Sequence, residues 1–304
     1  MKNFHEKRED KDSWREKNLL WGVPSFWIER FPLYYGRSKG FFRKRGISLE
    51  IKYYWGGPEL AQAVRAGELA IGEMGLPPFT KAFSDGLPAR VIGSSIVQQL
   101  DHYLAAKPGI KNIKELKGRR VGILSRGSCD EYFLRYMLES HSLDPDRDIE
   151  IVPLGSSYGN LDCFSSGIVD AGFIIEPYLS LGESLGVVKV VATVKDYYPR
   201  YQWGIIFARD DLLENNPELV GRAMEVYRES CSYIRENSEK AASFGAQVFG
   251  IKKEVFLSCL KRNMPSWEMN AMLDCEGVKN CIRMQKETGA VPVDFDFGAI
   301  AHQL

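Results

Sequence analysis

The chain has 304 residues, 44% of them hydrophobic and 26% charged, and its 40 basic residues are balanced by 40 acidic ones. This length suggests about two domains, and the composition is ordinary for a globular protein. The neutral balance gives no support to a nucleic-acid-binding role, which usually needs a basic face, and no apolar run approaches the roughly 18–20 residues that span a membrane.

The first residues carry both signs of charge and form no apolar segment of the kind found in a secretory signal. We therefore predict that residues 1–17 are a mobile tail. The chain either stays in the cytoplasm or is exported by a signal that this sequence does not include, and the sequence leaves both readings open.

Strand and helix patterns alternate from residue 18 to about 195. Residues 47–53, for example, alternate apolar and polar side chains, as in a strand with one solvent-facing side. Proline at a first helical turn and glycine after the last turn mark the helices. The patterns predict strands at 19–23, 47–53, 69–74, 90–95, 119–124, 149–154, 169–175 and 187–193, and helices that open at Pro32, Pro58, Pro77 or Pro78, Ser128, and Pro177.

Two features of this region add detail. Ser128 and Glu131 have the spacing of a capping box, in which each side chain bonds the backbone of the other, and they predict a helix to about Ser140.

The chain also repeats a pattern of helix end, short strand and helix start at an offset of 100 residues, with Gly67, Gly72 and Pro77 matched by Gly167, Gly172 and Pro177. Together these patterns predict an α/β protein with two parallel-rich sheets and helices on their faces.

After residue 200 the pattern changes. A last strand is predicted at 202–208, and helices start at Asp210 and at 216–217. An apolar stripe then recurs at helical spacing, formed by Val220, Met224, Tyr227 and Cys231. The C-terminal third is therefore expected to be a helical cover on the first lobe.

Ligands of open α/β sheets bind beyond the carboxyl ends of the strands, so the strand-to-helix turns hold the candidate site. The turn from Ser125 to Ser128 is the strongest, because two hydroxyls, the Arg126 cation, Gly127 and a helix start suit an anionic group. The alternative is that Ser128 only caps its helix and that Arg126 is exposed to solvent. The predicted ligand-binding set is Trp27, Gly57, Gly75, Leu76, Ser94, Ser95, Ser125, Arg126, Gly127, Ser128, Tyr158, Glu176, Tyr178 and Trp203.

Aromatic side chains recur at these turns, and in a cleft they would enclose a planar or apolar ligand body; ordinary core packing explains each of them as well. They are Trp27, Trp55, Tyr158, Tyr178 and Trp203. Glu176 stands at a strand end before a proline, where it could recognise a ligand amine, hold the hinge, or simply favour the helix start as an exposed carboxylate.

Catalytic and metal-binding patterns are poor. None of the four histidines has a partner at metal-ligand spacing, and the only arrangement worth noting is His102 beside Asp101 with Ser94 or Ser95. The six cysteines are scattered without a Cys-x-x-Cys pair, so we expect free, buried thiols, no metal and no cofactor.

At these same turns the chain resembles the type II periplasmic solute-binding proteins of nitrate, sulfonate and taurine ABC transporters, and the thiamine-pyrimidine synthase relatives that share their fold. The likeness covers about residues 18–250 and depends on order and spacing. The matching stretches are Pro-Leu-Tyr at 32–34, Lys-Gly-Phe-Phe at 39–42, Gly-Ile-Ser-Leu at 46–49, Gly-Glu-Leu-Ala-Ile-Gly at 67–72, Leu-Lys-Gly-Arg-Arg-Val-Gly at 116–122, Ser-Gly-Ile-Val-Asp-Ala at 166–171, Glu-Pro-Tyr at 176–178 and Asn-Pro-Glu-Leu-Val at 216–220.

The resemblance implies a two-lobed fold, with lobe I formed by 18–103 plus 200–304 and lobe II by 104–199. Two crossover strands, near 100–107 and 196–204, would act as a hinge that closes on the ligand. It also implies that the protein delivers a small organic anion, such as a sulfonate, nitrate or aromatic acid, to a membrane permease and its ATPase. Nothing in the sequence requires a dimer, so we expect a monomer.

Three departures from the family pattern stand out. The export signal is missing, Ala70 replaces the usual aspartate, and the residues typical of the synthase branch are absent. That branch carries a lysine and a histidine where this chain has, by spacing, Met74 and Pro78, and its cysteine-rich cluster is absent, which argues against that enzyme. The alternative function is a cytoplasmic lyase or decarboxylase of the same fold that acts on an aromatic or heterocyclic acid, since fold alone does not settle function.

Overall fold

A computed structural model describes residues 17–24, 28–96, 102–155, 159–197, 200–267 and 271–301. The predicted tail lies outside this part except for Lys17, which begins the first strand. The strands are β1 (Lys17–Val23), β2 (Ile47–Tyr53), β3 (Ile71–Gly75), β4 (Ala89–Ile96), β5 (Tyr103–Ala106), β6 (Arg120–Ile123), β7 (Glu150–Pro153), β8 (Ala171–Ile174), β9 (Lys189–Thr193) and β10 (Gly204–Arg209).

The helices agree with most of the predicted starts. They are α1 (Phe31–Ser38), α2 (Phe41–Lys44), α3 (Gly57–Arg65), α4 (Leu76–Ser84), α5 (Cys129–Glu139), α6 (Asp162–Ser165), α7 (Tyr178–Ser184), α8 (Val194–Tyr197), α9 (Asp210–Asn215), α10 (Pro217–Glu236), α11 (Ser238–Phe249), α12 (Lys253–Asn263) and α13 (Cys275–Glu287). No helix within the described ranges is long and apolar enough to cross a membrane.

The strands form two separate five-stranded sheets, in the orders β2-β1-β3-β10-β4 and β7-β6-β8-β5-β9. In each sheet the first three strands are parallel, and the fourth, β10 or β5, runs antiparallel to both of its neighbours. β5 carries the chain out of the first sheet into the second, and β10 brings it back. This confirms the two-lobed α/β fold with two crossovers; the residue limits of the lobes stay a prediction.

The internal repeat of the sequence corresponds to the same strand pairing in both sheets. Gly22 of β1 pairs with Gly72 of β3, and Gly122 of β6 pairs with Gly172 of β8, again at an offset of 100 residues. The backbones are close at both places, since a Cβ on Gly72 would lie 2.6 Å from the Gly22 carbonyl oxygen. Glycine is therefore needed in the centre of each sheet because two backbones meet there.

Replacement of Gly72 by alanine is expected to destabilise the protein by about 1–3 kcal/mol, because the added methyl group has to push two paired strands apart. Urea unfolding monitored by circular dichroism measures this. Gly221→Ala is the matched control, because a Cβ at this α10 position meets nothing within 4 Å, and it should stabilise the protein by up to about 1 kcal/mol. Equal effects of the two substitutions would contradict the argument.

The C-terminal helices pack on the first sheet, as predicted. The four residues of the α10 stripe are all buried, and they share one apolar core with strands β1 and β2 and helices α11 and α12. The second sheet has a smaller apolar cluster of its own around Phe164 and Leu179. Long helices thus cover the first sheet.

Some local predictions were wrong. Ser128 precedes α5 but its hydroxyl caps nothing, and Glu131 accepts a hydrogen bond from the N–H of Gly127 at 2.7 Å, so the capping box is not formed. The helix after β7 is a single turn. All six cysteines are free, but Cys275 is exposed and only the other five are buried.

Candidate functional site

A narrow crevice of about 30 Å³ lies where the two lobes meet. It is formed at the carboxyl ends of the central parallel strands of both sheets, which is the usual ligand position in open α/β folds. Its walls come from the first lobe, the second lobe and the return crossover, and consist of Pro24, Arg30, Gly56, Gly57, Gly75, Pro78, Leu124, Ser128, Cys129, Asp130 and Trp203. Four of these residues, Gly57, Gly75, Ser128 and Trp203, were predicted from the sequence.

Two glycines of the first lobe allow the second lobe to come close. A Cβ on Gly75 would lie 2.1 Å from Cys129 Sγ, and a Cβ on Gly56 would lie 2.8 Å from Ser125 Oγ. Burial raises the pKa of the Cys129 thiol well above its ordinary value, which keeps the sulfur protonated. Cys129 therefore serves as a packing group between the lobes, and its chemistry is not that of a thiolate nucleophile.

A buried arginine with two carboxylates stands on the first-lobe side. Arg30 Nη1 donates to Glu29 Oε2 at 3.1 Å, and Arg30 Nε lies 3.5 Å from Glu73 Oε2. All three side chains are almost fully buried. Burial raises the pKa of Glu29 and raises that of Glu73 to about 7, although the charge of Arg30 opposes both effects. This part of the site thus binds protons more tightly than isolated glutamates would.

A buried histidine and aspartate stand on the second-lobe side. His102 Nε2 lies 2.8 Å from Asp130 Oδ1, and the Leu124 N–H donates to Asp130 Oδ2 at 3.0 Å. The His102 ring packs against Phe173 and Trp203, with centroids 4.8 and 4.3 Å away. Asp130 is thus held in a fixed orientation at the first turn of α5, where it faces the crevice.

The Ser125–Ser128 turn differs from its predicted use. Arg126 points along the second lobe, where its Nη1 donates to Glu131 Oε1 at 2.8 Å and its Nη2 to the Ile151 carbonyl at 3.2 Å. Although burial opposes it, the Gly127 N–H and Arg126 hold the pKa of Glu131 below its ordinary value. Two of the donors expected to bind an anion, Arg126 and the Gly127 N–H, are therefore occupied by a carboxylate of the chain. The Ser125 and Ser128 hydroxyls have no hydrogen-bond partner among the described residues, and of the turn only Ser128 lines the crevice.

Three other predicted residues belong to the hinge. Gln202 Nε2 donates to Ser94 Oγ at 2.8 Å and to the Gly204 carbonyl at 2.7 Å, which fixes the return crossover on β4. Ser95 lies against the same crossover, and the Leu76 N–H donates to the Trp203 carbonyl at 2.8 Å. The three predicted residues, Leu76, Ser94 and Ser95, therefore lie against the crossover and are not part of the crevice lining. His102 has Asp130 as its partner, and the suspected arrangement with Ser94 or Ser95 is not formed; Asp101 lies outside the described residues.

Glu176 connects the two lobes. Its carboxylate accepts hydrogen bonds from Ser180 Oγ at 2.7 Å within its own lobe, from the Cys259 thiol at 3.2 Å and from Arg262, both on α12 of the other lobe. Of the three roles considered for Glu176, the contacts agree with the one in which it holds the hinge. It is buried, unlike the exposed carboxylate of the alternative reading.

The predicted aromatic residues are separated. Trp203 lines the crevice and stacks on Phe133, with centroids 5.0 Å apart. Tyr178 packs against Gly159 and lines a separate depression with Leu161 and Leu181, and Trp55 is half exposed. Trp27 and Tyr158 lie outside the described residues. A ring of aromatic side chains around the crevice is therefore not seen in the part of the chain that the structure describes.

Comparison with known proteins now identifies the family. The family model described as "NMT1/THI5 like" matches residues 27–241, which is well over half of the chain. The chain belongs to the NMT1/THI5-like family. The family resemblance drawn from the turn motifs is thereby confirmed.

Curated relatives of this NMT1/THI5-like protein are named as binding proteins. "Putative binding protein YtlA" of Bacillus subtilis is 23% identical over 213 residues, 69% of this chain and 64% of the relative. "Putative aliphatic sulfonates-binding protein" of the same organism is 26% identical over 272 residues, 88% of this chain and 77% of the relative. The match to YtlA thus spans slightly less than two thirds of that protein.

Solved structures show the same fold at low identity. The alkanesulfonate-binding protein SsuA of Xanthomonas axonopodis pv. citri, bound to MOPS, has a TM-score of 0.79 at 17% identity, over 95% of this chain and 99% of its own. The periplasmic nitrate-binding protein NrtA of Synechocystis PCC 6803 has a TM-score of 0.76 at 14% identity, over 93% and 84%. Both likenesses support the periplasmic-binding-protein fold.

Proposed function

We propose that this chain is the solute-binding component of an ABC importer, which closes its lobes on a small organic solute with an acidic group. The observation that carries the proposal is the crevice, because residues of both lobes and of a crossover line it together. In this proposal lobe I is 18–103 with 200–304, lobe II is 104–199, and a permease and an ATPase receive the solute. Relatives named for sulfonates and nitrate support the acidic group, and Arg30 is the guanidinium in the crevice wall that would face it.

The alternative of a lyase or decarboxylase has one observation in its favour, the buried His102–Asp130 pair. The relatives named as binding proteins and the protonated Cys129 favour transport over this alternative. Incubation with a panel of sulfonates, aromatic acids, nitrate and pyrimidines separates the two readings. Under the proposal, one compound raises the melting temperature and is recovered unchanged. A compound that is consumed would support the lyase, and a panel without any shift would count against the importer.

Replacement of Gly75 by alanine is expected to weaken solute binding about ten- to a hundredfold. The new Cβ would clash with Cys129 Sγ, an atom of the other lobe, so lobe I can fold normally while closure is obstructed. Titration of the compound selected by the panel, followed by calorimetry, measures the affinity. The double variant Gly75→Ala with Cys129→Ala removes the clash and should recover most of it. If the double variant binds as weakly as the single one, closure at this contact is not needed for binding.

A further inference from the structure

One buried cation in the crevice wall is shared by two buried carboxylates. Arg30 lines the crevice, Glu29 precedes it in the same short helix, and Glu73 lies in β3. The Arg30 guanidinium donates to Glu29 at 3.1 Å and lies 3.5 Å from Glu73. One positive charge cannot balance two negative ones, and an unbalanced buried charge is costly. The three groups are therefore neutral together only when one of the two carboxyls holds a proton.

Glu73 is the better placed of the two carboxyls to hold this proton. It is fully buried, and neither of its oxygens has a hydrogen-bond partner among the residues that the structure describes, whereas Glu29 accepts a hydrogen bond from Arg30. A buried carboxylate without donors is poorly stabilised as an anion. Burial accordingly raises the pKa of Glu73 to about 7, although the charge of Arg30 opposes the rise.

The other titratable groups that face Glu73 are two tyrosines and a cysteine, namely Tyr34 of α1 and Tyr227 and Cys231 of α10. Burial raises the pKa of both tyrosines well above its ordinary value and that of the thiol to about 12, so all three are uncharged between pH 6 and 8. On the second-lobe side His102 and Asp130 act on Glu29, with effects of opposite sign. The charge balance around Glu73 thus depends mainly on Arg30 and the two glutamates.

An anion that binds Arg30 would disturb this balance, because it competes with both glutamates for one guanidinium and adds a third negative charge. We propose that the solute binds Arg30 together with a proton, which Glu73 takes up as the solute shares the guanidinium. This inference rests on the proposed function, and it makes Glu73 a positioning residue that acts through Arg30, since Glu73 is not part of the crevice lining. Proton and solute then favour the same state, so each strengthens the binding of the other.

Calorimetric titration between pH 6 and 8 tests the proposal. The probes are methanesulfonate, 4-methylbenzenesulfonate, benzoate and nitrate, which are ionised throughout this range and add no titration of their own. An anion that binds should do so about tenfold more tightly at pH 6 than at pH 8, because free Glu73 changes from mostly protonated to mostly ionised around pH 7. Titration at pH 7.5 in Tris and in triethanolamine, cationic buffers of different ionisation enthalpy, should show uptake of roughly half to one proton per solute.

The Glu73→Gln variant assigns the proton to a residue. The amide has the shape of the protonated carboxyl, so the variant should bind at pH 8 about as tightly as the parent does at pH 6, without pH dependence and without proton uptake. Glu214→Gln, at an exposed carboxylate of α9, is the control and should keep both effects. Circular dichroism and urea unfolding check that both variants fold.

The outcomes separate this inference from the function on which it rests. If an anion binds the parent with an affinity that does not change with pH, the proton coupling is wrong while the solute-binding function stands; this holds even if Glu73→Gln does not fold. If Glu73→Gln still takes up a proton, the proton goes to another group, such as the His102–Asp130 pair, and the assignment to Glu73 is overturned. If none of the four anions binds, the proposed acidic solute fails and the inference fails with it.

Discussion

Replacement of Glu73 by glutamine is expected to stabilise the protein increasingly as the pH rises. The pKa of Glu73 is raised from its ordinary 4.5 to about 7, mainly by burial, with Glu29 adding to the effect and Arg30 opposing it. The native state therefore binds this proton more tightly than the unfolded state does. Stability from this group is present below about pH 4.5 and is lost progressively as the pH rises towards 7.

The size of the effect follows from the two pKa values. Between pH 4.5 and 7 the parent should lose roughly 3 kcal/mol that Glu73→Gln retains. The charged groups that act on Glu73 in the protein are Arg30 and Glu29. The amide keeps the shape of the protonated carboxyl, so at pH 4.5 the variant should resemble the parent apart from a constant offset.

Urea unfolding at pH 4.5, 6, 7 and 8 measures this difference. The free energy of unfolding of Glu73→Gln minus that of the parent should rise up to about pH 7 and then become flat. Glu214→Gln, at an exposed carboxylate of α9, serves as the control and should show no such rise. A difference for Glu73→Gln that is independent of pH would mean that Glu73 is not protonated in the folded protein near neutral pH.

The fold could be predicted from local signals because strands, helix starts and glycine positions are encoded within a few residues. The 100-residue repeat is an example, since Gly72 and Gly172 mark the same place in two sheets. The crossover strand β5 was predicted by the family resemblance and not by a strand pattern, because four residues are too few to show an alternation of apolar and polar side chains. The two-sheet architecture then followed from the alternation of these elements.

The site was less predictable because it depends on which side chains meet after folding. Arg126 stood in the right kind of turn, but Glu131, five residues later, occupies it. Glu29 and Arg30 are adjacent charges, a pattern that usually indicates a solvent-exposed segment, yet both are buried in the short helix that precedes α1. Asp130 was not among the predicted residues, because the helix dipole alone explains an acid near a helix start.

Removal of the Arg262 side chain is expected to open the protein in the absence of solute. Glu176 of the second lobe is 2% exposed and accepts hydrogen bonds from Arg262 and from the Cys259 thiol across the lobe boundary. In Arg262→Ala the carboxylate would stay buried without its cation while the lobes are closed, whereas opening gives it access to water. A hydrogen bond to a charged group contributes about 1.5–3 kcal/mol, so the closed form should lose about ten- to a hundredfold in population relative to the open one.

Small-angle X-ray scattering of the solute-free protein measures this as a larger radius of gyration in Arg262→Ala than in the parent. Lys261→Ala is the matched control, because it removes a neighbouring exposed cation from the same helix without a contact to Glu176. Addition of the solute should return Arg262→Ala to the compact form at higher concentration than the parent needs, since binding has to supply the lost closure energy. If both variants scatter like the parent, the crevice contacts alone determine closure. The distinction matters for transport, since a contact remote from the crevice would set how much of the protein is closed before any solute arrives.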